Sequence, residues 1–248
     1  MVAPLPRDGV TSLLLVALLL AAGCAPLAPQ PAAPEAPEAD PERLYRRAMA
    51  HVDAQACQQA TPPLLALVKA YPESDYGARG MLALAYCELE SGRAPAALAL
   101  VRQVIARGEA HDRMDYALYL KARALLAHTP APAHHQTVEA LQTLGQLQQR
   151  FPASAFAEQG SQLHAATVAL LAGRELEAAR AHLAAERPDA ALNRARYLIE
   201  QYPKAAAVGE ALSIMSRAYL ALGLEGMASS TAQIEQARSA ATALSEER

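Results

Sequence analysis

The side chains best equipped for chemistry in this 248-residue chain are three cysteines and a run of histidines. Cys24 closes the segment Leu20-Ala21-Ala22-Gly23-Cys24, and small residues directly before a cysteine suit a peptidase that leaves that cysteine as an acylated first residue. Arg7 precedes the apolar stretch from Leu13 to Ala22, which is too short for a bilayer that needs about 20 apolar residues. Residues 1–23 therefore read as a bacterial lipoprotein signal peptide with Cys24 as the lipidation site. An ordinary secretory signal cleaved nearby is the alternative, since Ala21 stands where a leucine is usual. Residue 25 is Ala rather than Asp, which under the sorting rule of enteric bacteria directs the protein to the inner leaflet of the outer membrane.

Cys57 and Cys87 are the other two cysteines, and an oxidising periplasm makes a bridge between them chemically feasible. The alternative is two small buried residues, because a bridge needs a narrow Cα separation that sequence does not fix. His128, His134 and His135 invite a metal reading, but no carboxylate or cysteine stands at ligand spacing beside them, and a proline-rich link is a poor template for fixed coordination. No His-Glu-x-x-His, Gly-x-Ser-x-Gly, phosphate-loop or Cys-x-x-Cys pattern occurs. Neither an enzyme nor a cofactor is expected.

The elements that must position these residues announce themselves by a repeated phrase. Tyr71-Pro72-Glu73-Ser74-Asp75-Tyr76 returns as Phe151-Pro152-Ala153-Ser154-Ala155-Phe156 and, shortened, as Tyr202-Pro203-Lys204-Ala205. Proline after an aromatic ends one helix because it cannot donate to the i−4 ladder, and in the first two copies the serine predicts an N-cap for the next. With a weaker joint near Gly108 to Asp112, these hinges predict helical hairpins of about 34 to 45 residues stacked into a solenoid. Nine Tyr, two Phe, no Trp and abundant Ala favour close helix packing over a sheet. The charge of −3, from 22 basic and 25 acidic residues interspersed, argues against a nucleic-acid partner.

Between the lipidation site and this body lie six prolines, at 26, 29, 31, 34, 37 and 41, so residues 24–41 read as a tether reaching up to about 50 Å. The solenoid is expected over 42–242, with a polar tail at 243–248. Helices are predicted at Glu42 to Ala54 and Pro62 to Ala70, then at Asp75 to Glu90 and Ala94 to Ala106. Asp112 to Leu126 and His135 to Gln149 form the third pair, across the link 127–134. A long helix, Ala155 to Glu186, pairs with Pro188 to Gln201, and Ala205 to Leu222 with Glu225 to Thr242. The fold class is thus all-α, a tetratricopeptide-like α-solenoid of about five hairpins. Small Ala85, Gly92 and Ala97 sit where that pattern needs close helix crossings, and Ser216, Tyr219, Gly223 and Ala228 repeat it.

The wording of several segments resembles the outer-membrane protein assembly factor family BamD, also called YfiO or ComL. The resemblance rests on Tyr71-Pro-x-Ser-x-Tyr76, Asp115-Tyr116-Ala-Leu-Tyr119-Leu, Glu175-Leu176 with Ala179-Arg180, and the stretch from Ala191 to Pro203. It extends through Glu210-Ala-Leu and Ala218-Tyr219-x-x-Leu-Gly223, covering 42 to about 240. It implies a lipid-anchored scaffold of the β-barrel assembly machinery on the periplasmic face of the outer membrane. The implied partners are a BamA-like barrel insertase, other subunits of the machinery, and the C-terminal signals of unfolded outer-membrane proteins. A tetratricopeptide lipoprotein serving secretion, motility or cell-wall synthesis is the alternative.

Carried onto this chain, the family's Asn-Arg pair makes Arg194, with Asn193, Arg196 and Tyr197, the insertase candidates. The apolar set Ala191, Ala195, Leu198 and Tyr202 leaves both arginines off the buried stripe. The family's N-terminal peptide pocket maps onto Tyr45, Tyr86, Tyr116 and Tyr119 with Arg46 and Arg123 nearby; the competing role for these tyrosines is packing between hairpins. The Ala/Pro-rich link 127–134 is shorter than the family's, so a contact made there is expected to be missing.

Overall fold

The computed structural model describes residues 40–108, 112–127 and 132–246. The expected signal peptide, Cys24, nearly all of the expected tether and His128 lie outside the described residues. Ten helices and no strand occur among those described: α1 Pro41–Asp53, α2 Cys57–Ala70, α3 Asp75–Glu90, α4 Ala94–Ala106, α5 Met114–Leu126, α6 His134–Arg150, α7 Ala157–Ala184, α8 Pro188–Gln201, α9 Val208–Ala221 and α10 Glu225–Glu246. Each helix packs on the next, and the first helix of a hairpin also packs on its counterpart in the following one for α1 with α3, α3 with α5, and α7 with α9. This is the all-α solenoid of five hairpins.

Two recurring turns build it. At the three Tyr/Phe-Pro hinges the aromatic residue closes the preceding helix with nearly identical backbone: φ −132°, ψ 53° at Tyr71, φ −131°, ψ 55° at Phe151 and φ −130°, ψ 56° at Tyr202. Within four of the five hairpins the turn places one residue at positive φ, at Gln55, Gly92, Glu186 and Gly223. In each, the next residue donates its N–H to a carbonyl five positions back, as in Arg93 to Glu88 and Leu224 to Tyr219, which satisfies the orphan carbonyls at the helix end. Ser216 of α9 donates to the Ala228 carbonyl of α10 at 3.0 Å, which locks the last hairpin at its small-residue crossing.

The boundaries differ from expectation where a cap was hidden or misread. α1 begins at Pro41, because Asp40 accepts the Glu42 N–H at 3.0 Å and proline is preorganised for the first helical position. α2 begins at Cys57, five residues earlier than expected, and carries Pro62 and Pro63 inside it. The carbonyls those prolines leave unpaired belong to exposed Gln58 and Gln59, where water can bind them. Ser74 caps α3 through the Gly77 N–H at 2.9 Å, but Ser154 is not the N-cap of α7: it accepts the Phe156 N–H and donates to Asp115, and the turn runs on to Phe156. With only alanines after its hinge, α9 starts at Val208 rather than Ala205. α10 runs through the expected tail to Glu246, since no glycine or proline interrupts 242–246.

The buried residues fall into two large groups. One joins hairpins two and three around Leu82, Leu98, Val101, Leu118, Leu125 and Leu147, and a smaller one joins hairpin one to α3 through Ala48, Val52, Ala60, Leu64, Ala83 and Leu84. The other large group joins hairpins four and five around Leu171, Leu176, Leu198, Val208 and Ile214. Gly80 and Gly160 occupy equivalent positions after the first two hinges, where a Cβ would press on the Leu67 and Leu147 side chains at 2.9 and 2.7 Å. Leu67 and Leu147 are fully buried beneath them.

Candidate functional site

The row formed by α1, α3 and α5 encloses a cavity of about 400 Å³. α1 contributes Tyr45, Met49 and Val52, α3 contributes Arg79, Leu82, Ala83 and Tyr86, and Arg113 with Tyr116 comes from the start of α5. Phe156, from the turn before α7, closes it by stacking on Tyr116 with ring centroids 4.7 Å apart. Burial pushes the Tyr116 phenol up to about 12 and raises Tyr45 as well, so both hydroxyls stay protonated and able to donate at neutral pH. The Arg113 guanidinium lies 5.3 Å from the Tyr116 ring centroid, and Arg79 is ion-paired with Asp112 while its buried Nε has no hydrogen-bond partner.

Three expected pocket residues, Tyr45, Tyr86 and Tyr116, are thus brought together. The other three are not. Arg46 is 69% exposed and pairs with Glu42. Tyr119 is not in the lining but stacks on Phe156, which is, with ring centroids 5.3 Å apart, and Arg123 is held by Glu90 at 3.0 Å. The cations of the cavity are Arg79 and Arg113 instead. A signal for Arg79 was present: 79, 82, 83 and 86 follow i, i+3, i+4, i+7, which is one helix face. Phe156 was legible too, because it occupies the place in the second hinge phrase that Tyr76 occupies in the first.

The second candidate lies on α8. Asn193, Arg194, Arg196 and Tyr197 are all exposed, while Ala191, Ala195, Leu198 and Tyr202 are buried on the opposite face. Asn193, Arg194 and Tyr197 line a shallow groove with His182 and Ala190, and Arg196 lies outside it. Sequence reasoning missed one partner: Arg194 donates to Glu175 of α7 at 3.2 Å, where the carboxylate side chain is 11% exposed and the guanidinium 51%. A buried carboxylate without a cation is costly, so Arg194 serves the fold as well as the surface, and its remaining N–H groups are what it can offer outward.

Among the described residues no group of three potential ligands is arranged for a metal ion, and exposed His134 and His135 sit on the first turn of α6. No described helix is long and apolar enough to cross a membrane.

Stacked hairpins with Gly or αL turns, a row of first helices packed on one another and exposed polar helix faces define the class: a tetratricopeptide-like scaffold. A family model described as YfiO, outer membrane lipoprotein, matches residues 37–234, and the chain belongs to that family. The outer membrane protein assembly factor BamD of Neisseria meningitidis serogroup A is 28% identical over 207 residues, covering 78% of this chain and 77% of that protein. The factor of the same name from Vibrio cholerae is 27% identical over 212 residues, covering 81% and 88%. A thermophilic TPR protein of Thermus thermophilus is similar in structure at a TM-score of 0.40 and 15% identity, over 77% of this chain and 88% of that one.

Proposed function

We propose that this protein is a lipid-anchored scaffold of the machinery that assembles outer-membrane β-barrels. Acylated Cys24 holds it to the periplasmic face of the outer membrane, and residues 25–40 act as the tether. The cavity of hairpins one to three receives the C-terminal segment of an unfolded barrel protein, and α8 presents Asn193, Arg194, Arg196 and Tyr197 to a BamA-like insertase. No reaction and no cofactor are part of this role. The observation that carries it is the family match over almost the whole solenoid, 37–234. The geometry supports it further: tyrosine walls with two arginines suit a chain end bearing an aromatic ring and a carboxylate, and exposed arginine and tyrosine are the residue types that anchor interfaces.

The test is affinity capture of the tagged, lipidated protein from gently solubilised membranes, read by mass spectrometry. Reversing Arg194 would set a second carboxylate against buried Glu175, so the variant is Arg196→Glu with Tyr197→Ala, which leaves that pair intact. Wild type is expected to recover the insertase and the variant to recover several-fold less. Equal recovery would remove the α8 face from the proposal, and enrichment of other envelope proteins in place of the insertase would overturn the function.

A further inference from the structure

The two cysteines of the body neighbour, in the chain, residues that line the N-terminal cavity. The structure joins Cys57, the first residue of α2, to Cys87 near the end of α3, with Cα atoms 5.2 Å apart. Each has a cavity residue beside it: Gln55 lies two positions before Cys57, and Tyr86 directly precedes Cys87. Those two residues touch, the Tyr86 hydroxyl donating to Gln55 Oε1 at 3.3 Å. Gln55 is exposed and Tyr86 half-buried, which places them on the rim.

Other contacts also hold that rim: Gln55 and Ala56 donate to the Val52 and His51 carbonyls at 2.9 and 2.8 Å, and buried Ala60 and Leu64 of α2 pack with Ala83 and Leu84 of α3, but its local conformation is a weak one. Gln55 is at φ +57°, a conformation costly for any residue but glycine. The N-cap of α2, Ala56, has no side chain able to cap, and Pro62 and Pro63 remove two of the hydrogen bonds that would tie down the first turns. The Thr61 hydroxyl binds the Cys57 carbonyl at 2.8 Å, but this bond stays within α2. The covalent link to buried Cys87 therefore adds to that packing a direct tie from the first residue of α2 to α3.

We propose that the Cys57–Cys87 bridge positions the rim of the cavity, and that it is made by thiol–disulfide exchange after export. One cysteine thiolate attacks a disulfide of a thiol oxidase and displaces one of its sulfurs, giving a mixed disulfide. The second thiolate then attacks the first cysteine's sulfur and releases the oxidase as a dithiol, so the two electrons and two protons lost by the pair pass to the oxidase. The consequence for ligand capture rests on the reading of the cavity as a peptide site; the consequence for the rim does not.

The experiment uses the full mature chain purified from membranes. Free thiols are blocked before and after reduction and counted by mass. Amide hydrogen exchange is compared for the oxidised protein, the reduced protein and Cys57→Ala/Cys87→Ala, and each is titrated with a fluorescent peptide ending in phenylalanine with a free carboxylate. The bridge predicts no blockable thiol among these two cysteines before reduction. It predicts exchange over residues 54–61 faster by about tenfold in both unbridged forms, with α7 to α10 unchanged. Peptide affinity should fall about fivefold or more, the effect of leaving two rim side chains to be ordered on binding. Two free thiols in the isolated protein, or equal exchange over 54–61 in all three forms, would overturn the proposal. Faster exchange without peptide binding by any form would uphold the positioned rim and reject the peptide reading of the cavity.

Discussion

Glu186 does a job that the same fold gives to glycine twice. The hairpin turn needs one residue in the left-handed region, and Gly92 and Gly223 meet it at φ +74° and +75°. Gln55 and Glu186 meet it at +57° and +53° with a Cβ that costs roughly 1 kcal/mol or more. Gln55 is also bound to Tyr86, whereas Glu186 is exposed at a turn remote from the cavity, so it is the cleaner probe. Glu186→Gly is expected to raise unfolding stability by about 0.5–1 kcal/mol, the strain relieved less the extra freedom glycine has when unfolded. Urea unfolding would measure it, and a variant less stable than wild type would show that Glu186 carries no such strain.

At the scale of elements, one carboxylate ties three helices. Glu139 of α6 accepts from Arg102 of α4 at 3.0 Å and from Lys121 of α5 at 2.9 Å. Partial burial alone would raise its pKa, but the hydrogen bonds and charges of Lys121 and Arg102 outweigh it, and the net shift is downward. A carboxyl whose folded pKa lies below its unfolded value stabilises the fold above the unfolded pKa, near 4.5, and loses that contribution as pH falls through the folded value. Glu139→Gln should therefore cost about 0.5–1 kcal/mol at pH 7 and progressively less below about pH 4.5, as read from urea midpoints across that range. An equal cost at pH 7 and pH 3 would mean that charge is not the source. Legibility divides along the same line. α3, α4 and α8 were readable to the residue because Ser74, Ser91-Gly92 and Pro188 are signals within the chain, and the hinge phrases marked where hairpins join. The start of α2 was not, since Pro62-Pro63 imitates a first helical turn and only exposure of Gln58 and Gln59 makes the prolines tolerable inside it. Three tyrosines of the cavity followed from placing the family's pocket on the first helices of the hairpins, but choosing Arg79 and Arg113 over Arg46 and Arg123 required knowing which helix faces meet across α1, α3 and α5, since Arg79 is ion-paired, to Asp112, just as Arg46 and Arg123 are to Glu42 and Glu90. Glu175 escaped notice because nothing in one sequence says which buried carboxylate will meet Arg194 across two helices.

Across the whole molecule, the division of the core into separate groups has a functional consequence. Stability in a stacked-repeat protein is close to a sum of repeats and their nearest interfaces, so damage in one hairpin spreads to its neighbours before it reaches the far end. Leu198 is fully buried among hairpins four and five, between the α8 face and the Tyr202 hinge. Truncating it removes about 2–5 kcal/mol from that group through lost transfer energy and the cavity left behind. Leu198→Ala is expected to speed amide exchange through α7 to α10 while α1 to α4, whose buried residues belong to the other groups, keep wild-type protection. On the proposed division of labour the variant should then lose the insertase in affinity capture yet still bind the phenylalanine-ended peptide. Uniform loss of protection from α1 to α10 would mean that the solenoid unfolds as one cooperative unit, and the two binding roles could not be separated by destabilising one end.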